Sequence, residues 1–287
     1  MVKNPQNVQL SPALRDLEHY RHEYVENWSV NSKDHEEHGH YTWMARQVAG
    51  YRHVLEIGCG TGQSTLALLG NGHTVICIEE NPYCIDATRT AVDAAGYRVA
   101  VLHRATARSF VGDDHSYHLD FENDIPDAPD ADCLIIEGDA LGDEALEAWL
   151  RRQPKFDAVV CWLLGTHFAR GHNVAIDTSV IKTAFEHRIF VQNHVYEVAD
   201  EVLRSGGILN VIDREQNPDT EEMKRGVLDS HRDQASVTSL KVQGLSSTPY
   251  IEPQAPGAMR MQLTLPPGAS PTDAPSLVLL SVTSVKP

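Results

Sequence analysis

The sequence of 287 residues contains no apolar run approaching the ~18 to 20 residues that a membrane-spanning helix needs. It also does not begin with the basic and then apolar stretch that is typical of a secretory leader. We therefore expect a soluble, cytoplasmic protein with no membrane partner.

Cysteine is scarce, and its pattern argues against disulfides and metal centres. The five cysteines are odd in number, lack the paired spacing of a metal site and lie mostly inside apolar runs. We expect buried free thiols in a reducing compartment. The histidine-rich stretch at 35–40 offers imidazoles and carboxylates, but nothing downstream completes a ligand set, so we expect a solvated hinge and no metal there.

Positive charge is also scarce. The chain has 24 Lys and Arg against 40 Asp and Glu, a formal net charge of −16, and no basic cluster. Such a surface repels phosphate backbones, so we expect no nucleic-acid partner. No Pro-, Gly- and Ser-rich linker divides the chain before residue 213, which indicates a single decorated domain. The sequence does not predict the oligomeric state.

The most informative segment is the apolar run 54–57, which is followed by three alternating glycines, Gly58, Gly60 and Gly62. A strand that is buried on both faces is continuously apolar, and glycines after it let the backbone turn tightly against a ligand. A second apolar run at 73–78 ends at Glu79, about 20 residues downstream, where a carboxylate can accept hydrogen bonds from ribose hydroxyls.

These motifs resemble those of the class I S-adenosylmethionine-dependent methyltransferases. The family's glycine signature has an acid two residues before the first glycine and glycines spaced two apart, as in Glu56, Gly58, Gly60 and Gly62. Further matches follow in family order at 79–82, 137–140, 156–160 and 202–209. A nicotinamide signature would need a glycine where Gln63 stands, so the resemblance favours S-adenosylmethionine as the cofactor.

The resemblance also implies roles for individual residues. Glu56 would orient the glycine turn, and this turn, made of Gly58, Cys59, Gly60 and Gly62, would pass beneath the methionine and ribose. Glu79 would hold the ribose, and Asp139 would hold the adenine amino group. Gly138 and Ala140 would let the backbone lie near the ring. His167, after the fourth strand, is a candidate base for a hydroxyl or amine, although a hydrogen-bonded loop histidine is the alternative interpretation.

The implied fold is α/β, a Rossmann-like doubly wound sheet of seven mostly parallel strands with an antiparallel last strand, plus an N-terminal helical addition. Residues 1–50 would form a helical lid, and 51–287 the core, with an inserted hairpin at about 97–132 made by segments 98–103 and 115–121. We place the third core strand at 133–136. A helix is predicted to end at the glycines 206–207.

The N-terminal addition is expected to supply the acceptor pocket. Its helical spacing is interrupted at 31–34, which predicts a hinge, and Trp28, His40, Tyr41 and, from the core, Trp162 are predicted to border the substrate. Glu80, beside Glu79, is predicted to be a solvated strand end.

The favoured function is methyl transfer to an oxygen, nitrogen or carbon atom of a small molecule. No Asn/Asp-Pro-Pro-Tyr/Phe sequence, which is typical of many enzymes that methylate amino groups of bases or glutamine, follows the fourth strand. Two alternatives stay open: methylation of a protein or peptide, and non-catalytic binding of S-adenosylmethionine.

Overall fold

A computed structural model describes residues 11–261 and 275–287. In these residues a central sheet is covered by helices on both faces. The helices are α1 (Pro12–Glu37), α2 (His40–Gln47), α3 (Gln63–Gly70), α4 (Pro82–Ala94), α5 (Glu144–Arg152), α6 (Ala184–Val202) and α7 (Glu221–Ala235), with a short 3-10 helix at Phe168–His172. The strands are β1 (His53–Ile57), β2 (Thr74–Glu79), β3 (Val99–Leu102), β4 (Ala105–Ser109), β5 (Tyr117–Phe121), β6 (Cys133–Glu137), β7 (Phe156–Trp162), β8 (Leu203–Gln216), β9 (Lys241–Tyr250) and β10 (Leu277–Val285).

The main sheet has the strand order β3-β6-β2-β1-β7-β8-β10-β9. In this sheet β3, β6, β2, β1, β7 and β8 pair in parallel, each with the next. Strand β10 is antiparallel to both β8 and β9. This confirms the predicted α/β Rossmann-like fold with an antiparallel strand near one edge. The strand count was wrong: the described sheet has eight strands, because β3 adds an edge strand beside β6.

Burial on both faces explains the apolar strands. On β1, Val54 belongs to one core cluster and Leu55 to the cluster on the opposite face, and both are fully buried. The same alternation places Val160 and Cys161 of β7 on opposite faces. Because these strands are parallel, their carboxyl ends share one edge of the sheet, where ligands bind in such folds.

The inserted segment differs from the prediction at its first arm. The hairpin is formed by β4 and β5 in a separate two-stranded sheet, whereas β3 joins the main sheet. The boundary between β3 and β4 is Arg104, a buried residue whose amide donates to Glu137 Oε2 at 2.8 Å and whose guanidinium pairs with Asp143 at 2.8 Å. This ionic anchor turns the chain out of the sheet, so segment 98–103 is not a hairpin arm.

The predicted hinge at 31–34 is also wrong. Helix α1 runs without interruption through these residues, and Asn31 and Ser32 are buried. Tertiary contacts satisfy their polar groups. The side-chain amide of Asn31 accepts a hydrogen bond from the Met259 amide at 2.7 Å and donates one to the Met259 carbonyl at 2.9 Å, and the Ser32 hydroxyl accepts one from the Tyr41 hydroxyl at 3.1 Å. The chain bends instead at Gly39, which has φ +71°.

The predicted end of a helix at 206–207 is wrong as well. Helix α6 ends at Val202, and both glycines lie inside β8, where the pairing with β7 is irregular. A Cβ on Gly207 would lie 2.9 Å from the Arg204 carbonyl oxygen, so this irregular pairing leaves no room for a side chain. The sequence also predicts a Pro-rich loop at 249–272, and its residues 262–272 lie outside the described residues.

All five cysteines are free and buried, as predicted. Among the residues described, no helix is both long and apolar enough to cross a membrane.

Candidate active site

A cavity lies at the carboxyl edge of β1, β2, β6 and β7. About 890 Å³ of it is unfilled by protein atoms, part of this volume being open to solvent. The cavity brings together most of the residues predicted from the sequence. Those in its wall are Trp28, Tyr41, Gly58, Cys59, Gly60, Glu79, Gly138, Asp139, Ala140, Trp162 and His167.

Glu56 and Gly62 lie behind the turn and do not line the cavity. Glu56 is buried and accepts hydrogen bonds from the Ser64 hydroxyl at 2.5 Å and the Thr65 hydroxyl at 2.7 Å, and burial raises the pKa of its carboxyl. Gly62 has φ +93°, and a Cβ there would lie 2.9 Å from Thr88 Cα. Both residues therefore fix the start of α3 against β1 and α4.

The turn at Gly58 and Gly60 presents bare backbone to the cavity. A Cβ on Gly60, which has φ +52°, would lie 2.7 Å from Trp28 Nε1, and a Cβ on Gly58 would lie 3.3 Å from Leu164 Cδ1. Side chains of α1 and of the loop after β7 thus approach the turn as closely as glycine allows.

Glu79 is a carboxylate for which residues 11–261 and 275–287 provide no cationic partner. It accepts backbone hydrogen bonds from Glu80 and Asn81 at 3.0 Å each and from Gly60 at 3.3 Å, and no basic side chain in the described chain pairs with it. Burial raises the pKa of Glu79 to about 7, although the hydrogen bond from the Asn81 amide acts to lower it. A ligand with hydroxyl donors suits this group, because the donors would stabilise its charged form. The residue set therefore fits the ribose of S-adenosylmethionine.

Glu80 was expected to be solvated, and the structure corrects this. Its side chain is 13% exposed and pairs with Arg21 of α1, with His167 Nε2 at 3.2 Å and with Arg170 Nη1 at 3.9 Å. Burial alone would raise the pKa of Glu80, but the charge of Arg21, the hydrogen bond from His167 and the charge of Arg170 hold it well below its ordinary value. The predicted base His167 thus lies in an ionic cluster.

Arg170 completes this cluster on the other side. Its Nη2 donates to Asp139 Oδ2, and its Nε donates to His187 Nε2 at 3.3 Å. Burial raises the pKa of Asp139, although Arg170 partly offsets this effect. Burial and the charge of Arg170 lower the pKa of His187 to about 4, which keeps this imidazole neutral and able to accept the hydrogen bond.

His40 does not line the cavity. Its Nδ1 lies 2.9 Å from His35 Nδ1, and both rings pack near Tyr250. The two histidines are buried, so the solvated hinge predicted at 35–40 is wrong for them, and burial lowers the pKa of His35 to about 3. Within 11–261 and 275–287, no group of three or more His, Cys, Asp or Glu residues is arranged to hold a metal ion.

Aromatic rings also line the cavity. Trp28, Tyr41 and Trp162 were predicted to lie there, and Tyr24 joins them. Trp162 is fixed by a hydrogen bond from its Nε1 to Asn210 Oδ1 at 2.7 Å. The sequence analysis missed Tyr24, Arg21, Arg170 and His187; only the helical spacing of α1 pointed to the first two.

Residues 54–132, which contain the glycine turn and Glu79, match the family described as a methyltransferase domain. This part of the chain is therefore a methyltransferase domain, which agrees with the resemblance to the class I S-adenosylmethionine-dependent methyltransferases. The protein is an enzyme that uses S-adenosylmethionine, as the order of its motifs predicted.

Solved structures resemble this methyltransferase at low identity. A protein studied for the conversion of a disulfide bond into a thioacetal group during echinomycin biosynthesis is 15% identical, with 86% of this chain and 81% of that chain covered and a TM-score of 0.43. A SAM-dependent methyltransferase from Methanosarcina mazei is 11% identical, with 82% and 92% covered and a TM-score of 0.41. Precorrin-6y C5,15-methyltransferase from Geobacter metallireducens is 10% identical, with 86% of each chain covered and a TM-score of 0.40. No curated protein matches the chain.

Proposed function

We propose that this methyltransferase methylates an oxygen, nitrogen or carbon atom of a small molecule. The observation that carries the proposal is the aromatic cover over the glycine turn. Trp28 lies against Gly60, Tyr24 lies against Gly165, and both belong to α1, which is part of the N-terminal addition. Such a cover leaves room for a compact acceptor and obstructs a folded macromolecule.

The cavity residues divide into those that would hold the cofactor and those that would hold the acceptor. The backbone of Gly58, Cys59 and Gly60 would support the methionine and ribose, Glu79 the ribose hydroxyls, and Asp139 the adenine amino group, beside Gly138 and Ala140. When bound, S-adenosylmethionine supplies an electrophilic methyl group. The aromatic wall of Trp28, Tyr41 and Trp162 would hold the acceptor; His40, outside the wall, would act only by packing behind it.

The chain's own contribution is to position the reactants and to exclude water. His167 is the proposed base where the acceptor must lose a proton. Its Nε2 faces Glu80 Oε2, and a carboxylate can only accept, so Nε2 carries hydrogen. In the neutral ring the lone pair is then on Nδ1, which is buried and has no hydrogen-bond partner among the described residues.

Label transfer to a fractionated extract tests the proposal. The enzyme is incubated with S-adenosylmethionine carrying a carbon-13 methyl group and an extract of the source cells separated into protein and low-molecular-weight fractions. We expect label in the small molecules. Label only in protein would establish the protein or peptide alternative, and tight cofactor binding without any transfer would establish the non-catalytic one.

Two variants make the experiment specific. Glu79→Gln removes the charge of the proposed ribose ligand and should reduce transfer, whereas Glu222→Gln changes an exposed carboxylate on α7 and should not. Equal transfer by both variants would remove Glu79 from the site.

A further inference from the structure

One donor of Arg170 has no partner in the part of the chain that the structure describes. The residue is 5% exposed and lines the cavity. Two of its nitrogens are bonded, Nη2 to Asp139 and Nε to His187, but Nη1 is buried with no hydrogen-bond partner among the described residues. The oxygen that Nη1 approaches, Glu80 Oε1, is 3.9 Å away, beyond hydrogen-bond distance.

An unpaired nitrogen on a buried guanidinium is costly, because its lost hydration is not replaced. Arg170 is held in place by its other contacts, so it cannot turn Nη1 towards water without breaking the pair with Asp139. A hydrogen-bond acceptor on a ligand in the cavity would remove this cost.

Asp139 provides the complementary group directly beside this donor. Its Oδ1 accepts from the Leu141 amide at 2.9 Å and its Oδ2 accepts from Arg170, yet a carboxylate oxygen can accept more than one hydrogen bond. Asp139 and Arg170 Nη1 therefore present an acceptor next to a donor. Adenine has the matching pattern on either edge, since its amino group is a donor and the ring nitrogens beside it, N1 and N7, are acceptors.

We propose that Arg170 reads the adenine of S-adenosylmethionine by donating from Nη1 to N1 or N7, while Asp139 accepts from the amino group. The inference rests on the proposed placement of adenine at Asp139. Arg170 lies on the 3-10 helix after β7, far in sequence from the glycine turn, and it makes this loop part of the cofactor site.

Binding calorimetry on the full chain tests the proposal with three probes: S-adenosylhomocysteine and its two analogues in which N1 or N7 is replaced by C–H. The wild-type protein should bind one analogue about tenfold or more weakly than the parent, the effect of losing a hydrogen bond to a charged group. Arg170→Gln should bind the parent more weakly than the wild type does. This variant should bind the parent and that same analogue with equal affinity. The analogue affected identifies the ring nitrogen.

Measuring each variant with each probe separates this role from a structural one. Loss of the Asp139 pair alone would weaken the binding of all three probes by the same factor. Arg188→Gln is the matched control: Arg188 pairs with Asp213 at 3.5 Å outside the cavity wall, so this variant should keep the wild-type discrimination. Arg170→Lys keeps the charge beside Asp139 if the glutamine variant fails to fold. Equal binding of all three probes to the wild type, or discrimination that survives in both Arg170 variants, would overturn the proposal. Failure of the wild type to bind S-adenosylhomocysteine would instead contradict the proposed cofactor site.

Discussion

Glu79 and Glu80 are neighbours in the sequence with opposite electrostatic environments. Among the residues described, Glu79 has only backbone donors around it, and burial raises its pKa to about 7. Glu80 pairs with Arg21, His167 and Arg170, which together lower its pKa. The sequence predicted the position of Glu79 because strand ends are local features. It gave no signal for Glu80, because its partners are brought together only by the tertiary fold.

The first prediction concerns the charge on Glu79. Hydroxyl donors stabilise a carboxylate, so cofactor binding requires the charged form, and a pKa of about 7 makes affinity rise as pH increases through about 7. For S-adenosylhomocysteine, calorimetry between about pH 6 and pH 8 should show this rise and proton release near neutral pH. Glu79→Gln should lose about 1.5 to 3 kcal/mol of affinity at the higher pH and show no such rise. A wild-type affinity independent of pH would contradict the prediction.

The second prediction concerns the glycine turn. Gly60→Ala places a Cβ 2.7 Å from Trp28 Nε1, whereas Gly72→Ala at φ +84° meets nothing within 4 Å. Both changes carry the strain of a left-handed alanine, about 1 kcal/mol of stability. Only Gly60→Ala should weaken cofactor binding and change the fluorescence of Trp28. Equal binding by the two variants would show that close approach at Gly60 is unimportant.

At the level of elements, helix α1 shows where sequence patterns mislead. Asn31 and Ser32 interrupt its apolar spacing, so a break was predicted, but both are buried and bonded to partners elsewhere in the chain. Segment 98–103 was assigned to a hairpin because its alternation suits either a hairpin or a sheet edge. In both cases the local pattern allows two structures, and the tertiary partner that decides between them is not visible in the pattern.

The third prediction tests how α1 is attached. Arg21 has a side chain 4% exposed and pairs with Glu80, so Arg21→Met leaves a buried charge less compensated and should destabilise the protein by about 3 kcal/mol. Lys33→Met removes a pair in which the lysine is 77% exposed and should cost at most about 0.5 kcal/mol. Urea unfolding measures both losses of stability, provided that the dependence of the free energy of unfolding on urea concentration has the same slope in each variant as in the wild type. Similar losses would mean that the Arg21 pair does not anchor the helix.

At the scale of the whole molecule, the sequence predicted the parts of the fold that depend on local chemistry. The parallel sheet and the glycine turn follow from burial and spacing, whereas the antiparallel strand was implied by the resemblance to the methyltransferase family. The eighth strand and the ionic cluster joining β2, α1 and the loop after β7 do not, since they arise from contacts between distant segments. The glycine turn and Glu79 in the cavity wall were therefore predictable, and the aromatic and ionic side chains that cover them were only partly so.

The last prediction concerns the mobility of that cover. Helix α1 has no internal hinge, but Arg21 and Trp28 tie it to Glu80 and Gly60 at the cavity. Cofactor contacts at the turn should stabilise this attachment, so amide exchange in residues 17–28 should slow when S-adenosylhomocysteine is added to the full chain. Helix α7 lies outside the cavity wall and serves as the internal control, with no expected change. High protection of 17–28 that is the same with and without the ligand would show that α1 is a fixed part of the core, in which case an acceptor must enter by another route.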